Sequence, residues 1–375
     1  MSCYVQMFLP LFLIWSIIFK PCLCQQEENV TDDMDFIFDT NFDYSSGIPV
    51  LCEKVSNRQF RQWFMPTFYS IISFTGLAGN LLVILTFIYF NRLKTMTDVY
   101  LLNLSFADFL FAFSLPFWAA NSMANWVLGV AICKIMHVVY KVTSYSSMFL
   151  LCLISVDRYF AIAKAVSAHR LRSQAVFFSK VSSVIVWVLA LIVSIPDMKY
   201  TTVINDTCTP FSSSSDPLRI SIQTSQIVVA FSLPLLVMSC CYSKIIQTLC
   251  KTQNFERNKA IKVILVVVVV FVVCQLPYNM VLFWYTLLIA NGGTTQCTYE
   301  NNLLYAIDIT QCVAFLRCSL NPFVYAFIGV KFRHDLLRVL KKLGCISQEM
   351  LFKYTHRKRT SSAALDTDTT TTFSP

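Results

Sequence analysis

The chain has 375 residues, of which 56% are hydrophobic and 14% are charged, whereas a soluble globular protein carries about 25% charged residues. This composition excludes an ordinary soluble domain, and 8 glycines beside 32 phenylalanines favour apolar helices over a loop-rich barrel. The net charge of +9 predicts no nucleic-acid partner, because the basic residues gather in the connections between apolar segments.

Residues 1–24 have the pattern of a secretory signal peptide. The apolar run Met7–Phe19 is too short to cross a bilayer easily, and Cys22-Leu-Cys24 supplies small residues before a cleavage site at Gln25. The basic residues usual at the start of a signal are missing, so an extra membrane helix is the alternative. Because Lys20-Pro21 interrupts such a helix, we expect a signal peptide.

Residues 25–62 are predicted to form an extracellular acidic arm. Its first part, 25–51, holds seven acidic residues and no basic residue, a composition that resists burial and is expected to be disordered alone. Asn29 begins a glycosylation sequon, and Tyr44 in its acidic setting is either a sulfation site or an unmodified linker tyrosine. An acidic arm outside the cell suggests a basic soluble partner.

Seven apolar segments follow, each long enough to cross a bilayer as a helix. Their predicted bounds are 63–90, 99–122, 134–157, 181–199, 220–243, 261–289 and 303–328. Lys and Arg are concentrated in alternate connections, which belong in the cytoplasm, so the N-terminus lies outside and the C-terminus inside. The sequence therefore predicts an all-α membrane protein, a seven-helix transmembrane bundle over 63–330.

The outer side of this bundle collects four cysteines outside or at the edges of the apolar runs: Cys52, Cys133, Cys208 and Cys297. Disulfides persist in that compartment, and four cysteines allow three pairings. Asn205 begins a second accessible sequon. Asn103 also matches one, but it lies inside the second crossing and is discounted.

Residues 331–344 alternate apolar and basic side chains, which predicts a short amphipathic helix on the lipids of the inner leaflet. Cys345 after it is a candidate for palmitoylation. Residues 345–375 form a cytoplasmic Ser/Thr-rich tail that we expect to be disordered and open to phosphorylation.

Polar groups inside the crossings are the sharpest functional signal, because each needs a partner, an ion or water at membrane depth. Singly, each is explained by a hydrogen bond between helices. The set comprises Asn80, Asp108, Asp157-Arg158-Tyr159, Asn321-Pro322-x-x-Tyr325 and prolines in segments five to seven, Pro234, Pro277 and Pro322. Together these residues form a much more specific pattern than any of them alone.

This pattern, with Trp187 and Tyr242, resembles the rhodopsin-like G-protein-coupled receptors. The resemblance implies that Arg158 receives the G protein when segment six swings out, and that Tyr242 and Tyr325 hold the open state. It assigns coupling and activation to Asp157, Arg158, Tyr159, Tyr242, Pro277 and Tyr325. It also implies a resting-state sodium ion at Asp108, Asn80, Ser147 and Asn321, and a Cys133–Cys208 disulfide. Each proline leaves a kink that can pivot.

Four stretches narrow the resemblance to the chemokine receptors: RLKTMTDVYLLNLSFAD, DRYFAIAKAVSAHR, CQLPYN and CSLNPFVYAFIGVKFR. A Cys52–Cys297 disulfide is typical of that family. CLCQ, NFERNKAIKVI, LGCISQE and TTTTFSP resemble its members for lymphoid-homing CC chemokines. This resemblance implies a receptor at the plasma membrane that couples to an inhibitory heterotrimeric G protein and guides leukocytes. Arrestin and receptor kinases are its expected partners at the tail.

The chemokine-receptor resemblance also assigns two pockets. The outer, ligand-binding set is Tyr44, Tyr69, Trp118, Tyr140, Lys141, Asp308 and Gln311, and the inner allosteric set is Thr97, Asp98, Tyr325, Lys331, Phe332 and Arg333. Gln311 stands where many relatives carry a glutamate that meets the ligand's amino terminus, and Asp308 is the candidate substitute. Gln275 replaces a tryptophan common in rhodopsin-like receptors. Bundle packing is an alternative role for Trp118 and Tyr140.

Two alternatives to signalling fit parts of the sequence. A transporter or channel could use Asp108, Lys141, Asp308 and Arg317 as a polar path, but the crossings show no internal repeat. A scavenging receptor without G-protein signalling is the second alternative, and the intact Asp157-Arg158-Tyr159 triplet argues against it. No phosphate loop, metalloprotease motif or hydrolase elbow is present, so no enzyme is expected.

Overall fold

A computed structural model describes most of the bundle predicted above. The described residues are 55–90, 93–123, 126–163, 174–204, 206–210, 217–251, 255–291, 297–328, 330–342, 344 and 347. All of them belong to one of the two units into which the chain divides, Leu51–Pro375. The predicted signal peptide, most of the acidic arm and the tail beyond 347 lie outside the described residues.

The architecture is a bundle of long helices with one small hairpin. The helices are α1 (Val55–Tyr89), α2 (Met96–Met123), α3 (Gly129–Ala163), α4 (Ala175–Tyr200), α5a (Pro217–Gln226), α5b (Leu233–Lys251), α6 (Phe255–Ala290), α7 (Cys297–Ile328) and α8 (Val330–Lys342). A π-helical segment, Ile227–Ser232, joins α5a to α5b. Seven spans within α1 to α7 are long and apolar enough to cross a membrane, which confirms the predicted fold class.

The helices pack in an order that closes a ring. Sequence neighbours α1 and α2, α2 and α3, α3 and α4, and α6 and α7 are in contact, and α7 returns to α1 and α2. Helix α3 lies at the centre, because it contacts α2, α4, α5b and α6 as well as the hairpin. Its position allows α3 to carry polar groups that face several helices at once.

The surface of the bundle is apolar, in contrast to that of a soluble protein. On α4 the exposed row Phe177, Val184, Leu191 and Ile195 has side chains that are 66%, 61%, 51% and 51% accessible. Such a face is stable only against lipid, whereas the backbone polar groups are satisfied within each helix. The polar side chains of the crossings, such as Asn80, Asp108 and Asn321, are buried inside the bundle instead.

Several helices are longer than their predicted apolar segments. Helix α1 begins at Val55 rather than at 63, so the arm predicted for 25–62 ends earlier. The added turns are polar, but Ser56 Oγ lies 2.8 Å from the Tyr305 hydroxyl on α7, and the Phe60 ring packs edge-on against Tyr305 at 5.0 Å. Hydropathy locates the part of a helix that crosses lipid, whereas contacts with neighbouring helices extend it beyond that part.

The hairpin covers the outer end of α3. Strands β1 (Thr202–Ile204) and β2 (Thr207–Thr209) pair antiparallel, and Asp206 in their turn has a φ of 55°, a left-handed conformation that Asp tolerates. A disulfide joins Cys133 of α3 to Cys208, as the family resemblance implied. The Asn121 side chain both donates to the Cys208 carbonyl, at 3.3 Å, and accepts from its amide, at 3.0 Å. The outer ends of α2 and α3 are thereby tied to one strand.

Candidate functional site

The inner end of α3 carries the acid-arginine pair between helices rather than against lipid. Arg158 Nη2 donates to Asp157 Oδ2 at 2.6 Å, and Nε donates to the same oxygen at 3.2 Å. Thr97 Oγ1 on α2 donates to Asp157 Oδ2 at 2.5 Å and also contacts Arg158 Nη2. The Arg158 side chain is 23% accessible. Asp157 therefore neutralises the charge of Arg158, and the hydrogen bond from Thr97 ties the Asp157 carboxylate to α2.

Two tyrosines assigned to activation lie close to that pair. Tyr242 on α5b and Tyr325 on α7 are buried and line one cavity of about 30 Å³, together with Ser155 and Ile154 of α3. The Tyr325 hydroxyl has no hydrogen-bond partner among the described residues. Tyr159, next to Arg158, packs against the same apolar core. The two tyrosines therefore border one buried space beside the inner half of α3.

Helices α6 and α7 are joined at mid-bundle by an amide. Gln275 Nε2 donates to the Ala314 carbonyl at 3.1 Å, and its side chain is buried. Pro277 follows within α6, where a proline cannot donate to the preceding turn. The residue that replaces the usual tryptophan thus holds α6 directly to α7, beside the point at which α6 can pivot.

Of the four residues assigned to a sodium ion, Asp108 supplies a carboxylate to which two of the other three donate hydrogen bonds. Ser147 Oγ donates to Asp108 Oδ1 at 2.9 Å, and Asn321 Nδ2 donates to Asp108 Oδ2 at 2.7 Å. Asn80 instead donates its amide to the carbonyls of Gly76 and Cys318, both at 2.9 Å. The surroundings of Asp108 are therefore wholly buried and polar.

A cation of the protein already stands at this carboxylate. Arg317 Nη1 lies 3.4 Å from Asp108 Oδ1, and both side chains are almost completely buried, at 4% and 0% accessible. Because an arginine keeps its charge in a protein, a second cation there would meet direct repulsion. The four residues do not fit a sodium ion in this arrangement. From the sequence, Arg317 is singled out only as part of the polar path of a transporter or channel.

A cavity of about 40 Å³ lies between the helices, on the outer side of Arg317, and is called the outer cavity below. Its lining includes Tyr140 and Lys141 of α3, which the resemblance assigned to ligand binding, and Gln226, Gln275 and Arg317. The cavity can hold water, which needs a roughly 15 Å³ space with polar partners. The cavity reaches from Tyr140 and Lys141 down to Arg317.

Lys141 has internal partners that the sequence did not indicate. Its Nζ donates to Gln226 Oε1 at 2.6 Å and lies 3.3 Å from Asp197 Oδ1 on α4. His137 Nε2 is also 3.3 Å from that oxygen. The sequence predicts that the buried ammonium of Lys141 needs a partner. Asp197, in the last turn of the fourth apolar segment, was the sequence feature that could have identified it. These contacts tie α3 to α4 and to the residue before the π-helical segment.

Aromatic rings fill the space between the outer cavity and α1. Trp118 packs edge-on against His137 at 5.7 Å and Tyr140 at 5.9 Å, and Tyr69 stacks on Phe315 at 5.5 Å. In the structure these side chains pack against one another inside the bundle, as the alternative to ligand binding predicts for Trp118 and Tyr140. Their role in binding remains a prediction.

Near the outer end of α7 an acid is only partly neutralised. Asp308 Oδ1 lies 3.4 Å from Nε of Arg61 on α1, a side chain that is 50% accessible. The buried Asp308 Oδ2 has no hydrogen-bond partner within the described part of the chain. Gln311, one turn further on, lies beside Tyr140. That Asp308 substitutes for a glutamate at position 311 stays a prediction.

The inner allosteric set is built around an aromatic contact. Phe332 of α8 packs against Phe87 at 5.9 Å and against Tyr325 at 6.2 Å. Asp98 caps α2, because Oδ2 accepts from the Thr95 amide at 3.0 Å and its own amide donates to Thr95 Oγ1 at 3.2 Å. Arg333 is partly exposed nearby on α8, which also carries Lys331.

Some predicted sites cannot be placed. Cys297 is disulfide-bonded, whereas Cys52, its predicted partner, lies outside the described residues. So do Tyr44, Asn29, Asn205 and Cys345. Asn103, whose sequon was discounted, accepts a hydrogen bond from Trp187 Nε1 at 3.2 Å inside the bundle.

Comparison of the sequence with known proteins identifies the family. The family model of the 7 transmembrane receptor (rhodopsin family) matches residues 79–325. C-C chemokine receptor type 7 of Homo sapiens is 49% identical over 96% of this chain and 96% of its own, and that of Bos taurus is 49% identical with the same coverage. C-C chemokine receptor type 9 of Homo sapiens is 39% identical over 84% of this chain and 88% of its own. The chain belongs to the rhodopsin family of seven-transmembrane receptors and, within it, to the CC chemokine receptors, which are multi-pass plasma-membrane proteins and not enzymes.

Proposed function

We propose that the protein binds a lymphoid-homing CC chemokine on its outer face and activates an inhibitory heterotrimeric G protein on its inner face. The cellular outputs are calcium mobilisation and leukocyte chemotaxis. The observation that carries the proposal is the bound state of Arg158, which is held between helices by Asp157 with Thr97. An arginine that is paired at rest can be released to bind another protein when the inner end of the bundle changes shape.

On the outer side, the acidic arm attracts the basic chemokine and raises its encounter rate. The chemokine's amino terminus then enters between α2, α3 and α7. Asp308 supports this pose, because its buried Oδ2 is available to an ammonium group. Arg61 is half exposed and can move aside when the ligand's charge replaces it.

The signal passes inward through groups that join different helices. Lys141 connects α3 with Asp197 of α4 and with Gln226 before the π-helical segment, and Gln275 connects α6 with α7. A ligand that rearranges either contact changes the relative positions of α5b and α6. Helix α6 then pivots at Pro277, the inner end opens, and Arg158 exchanges Asp157 for the G protein.

The inner surface has further partners in this proposal. Receptor kinases phosphorylate the Ser/Thr-rich tail and arrestin binds the product, because each phosphate adds nearly two negative charges. Helix α8 rests on membrane lipids, since Lys341 and Lys342 in its last turn suit anionic headgroups.

The test is Arg158→Ala in transfected cells exposed to a panel of CC chemokines. We expect chemokine binding and surface expression to persist while G-protein dissociation and calcium release fall to background. Arg338→Ala on α8 is the matched control, because its side chain is 62% accessible. Unchanged G-protein activation by Arg158→Ala would refute the mechanism. Chemokine uptake by the wild type without G-protein dissociation would identify a scavenging receptor instead.

A further inference from the structure

Arg317 is the most deeply buried cationic contact in the described bundle. Its side chain is 4% accessible, and its nearest carboxylate, Asp108, is fully buried at a distance of 3.4 Å from Nη1 to Oδ1. Arginine remains protonated under all physiological conditions, so the positive charge of this contact is permanent. Burying two charges is favourable only when they neutralise each other and meet further polar groups.

Those further groups are present around the carboxylate. Ser147 donates to Oδ1 and Asn321 donates to Oδ2, so both oxygens of Asp108 accept hydrogen bonds while Oδ1 also faces the guanidinium. Residues from α2, α3 and α7 therefore meet at one point. A single positive charge at that point completes the cluster, and Arg317 supplies it.

We propose that Arg317 is a tethered cation that takes the place of a diffusible sodium ion, so that the resting receptor neither requires nor senses Na⁺. The charge comes with the chain and cannot dissociate. Because the side chain also lines the outer cavity with Lys141 and Gln275, the tethered cation extends from the ligand region to Asp108. A mobile ion would have to leave to change the state of the cluster, whereas Arg317 only has to change its partner.

The first experiment needs neither chemokine nor G protein. The purified receptor is unfolded thermally in NaCl and in N-methyl-D-glucamine chloride at equal ionic strength. An ion that binds the folded state raises Tm by mass action. Because the proposal is that sodium does not bind, we expect the Tm values in the two salts to agree within about 1 °C. A clear stabilisation of the wild type by NaCl that Asp108→Asn abolishes would overturn the proposal.

The second experiment removes the tethered cation. Arg317→Asn leaves Asp108 without a positive partner, and we expect its Tm to rise with NaCl and not with N-methyl-D-glucamine chloride. Arg317→Lys keeps the charge and should remain insensitive to sodium. The double variant Arg317→Asn with Asp108→Asn should lose the sodium effect.

Arg317→Asn that folds but shows no sodium dependence would contradict the claim that Arg317 stands in the ion's place. If that variant does not fold, the wild-type comparison still decides the proposal. Since both readouts are made without signalling, they are independent of the proposed receptor activity. A receptor that signals and binds sodium would refute only this inference.

Discussion

Lys141 shows how far a single residue can be interpreted from the sequence. Its position in an apolar segment predicts that it is either a ligand contact or half of a pair, because an ammonium at that depth needs a counter-charge. The structure supplies Asp197 at 3.3 Å and Gln226 at 2.6 Å. The need for a partner could be predicted, but its identity could not, because the partners come from two other helices and their approach depends on packing.

The group around Asp197 gives a prediction at this scale. Replacing Asp197 with Ala leaves Lys141 and His137 buried beside no carboxylate, and breaking a buried pair in this way costs about 3–5 kcal/mol. We expect a large loss of thermal stability, measured as Tm of the purified receptor.

A double-mutant cycle separates the pair from general damage. Lys141→Ala combined with Asp197→Ala should cost much less than the sum of the two single changes, because neither charge is then left alone. Arg338→Ala, which breaks the exposed pair with Asp335, is the control and should change stability by less than about 1 kcal/mol. Additive effects of the two buried substitutions would contradict the pairing.

Whole elements were predicted better than their ends. Hydropathy identified all seven crossings, because the lipid imposes a minimum apolar length on each. It failed at the start of α1, where Ser56 and Phe60 extend the helix by packing against Tyr305 of α7. It also gave no sign of the π-helical segment Ile227–Ser232, since an extra residue in a helical turn alters backbone bonding and not composition.

The contact between α6 and α7 yields a prediction for these elements. Gln275→Ala removes the hydrogen bond to the Ala314 carbonyl, which is worth about 0.5–1.5 kcal/mol. If that bond favours the resting arrangement, its loss raises the open population, and basal G-protein activation should rise about two- to tenfold. The measurement is nucleotide exchange on the G protein without chemokine.

Asn279→Ala is the matched control on the same helix. The Asn279 amide donates only within α6, to the Gln275 carbonyl at 2.8 Å, so its loss leaves the α6–α7 contact intact. We expect basal activation close to that of the wild type. An equal rise in both variants would mean that α6 itself, and not its tie to α7, controls opening.

At the scale of the whole molecule, polar groups run along the centre of the bundle and apolar groups cover its surface. From outside to inside they are the Lys141 group, Gln275, the Asp108–Arg317 pair and Arg158. Sequence motifs predicted the two ends of this series, because recurring residues mark them. The Arg317 pairing could not be predicted, since the sequence shows that an arginine inside an apolar segment needs a counter-charge but not which helix supplies it.

If the receptor couples its outer and inner faces as proposed, binding at the two faces is reciprocal. If nucleotide-free G protein raises chemokine affinity by some factor, chemokine must raise G-protein affinity by the same factor. We expect a factor of about 5–150 in purified receptor, measured by titrating each partner in the presence and absence of the other. In Arg158→Ala the factor should fall to one while chemokine binding alone is retained; an undiminished factor would exclude Arg158 from the coupling.

Helix α8 is fixed to the bundle at both of its ends. Phe332 sits between Phe87 and Tyr325, and Lys342 Nζ donates to the Tyr89 hydroxyl at 3.1 Å. Its 13 residues make a rigid rod about 20 Å long. The C-terminal end of α8 therefore lies at a set distance from the end of α7. Under the proposed function, a G protein bound at Arg158 and a kinase acting beyond α8 would contact the receptor at separate places.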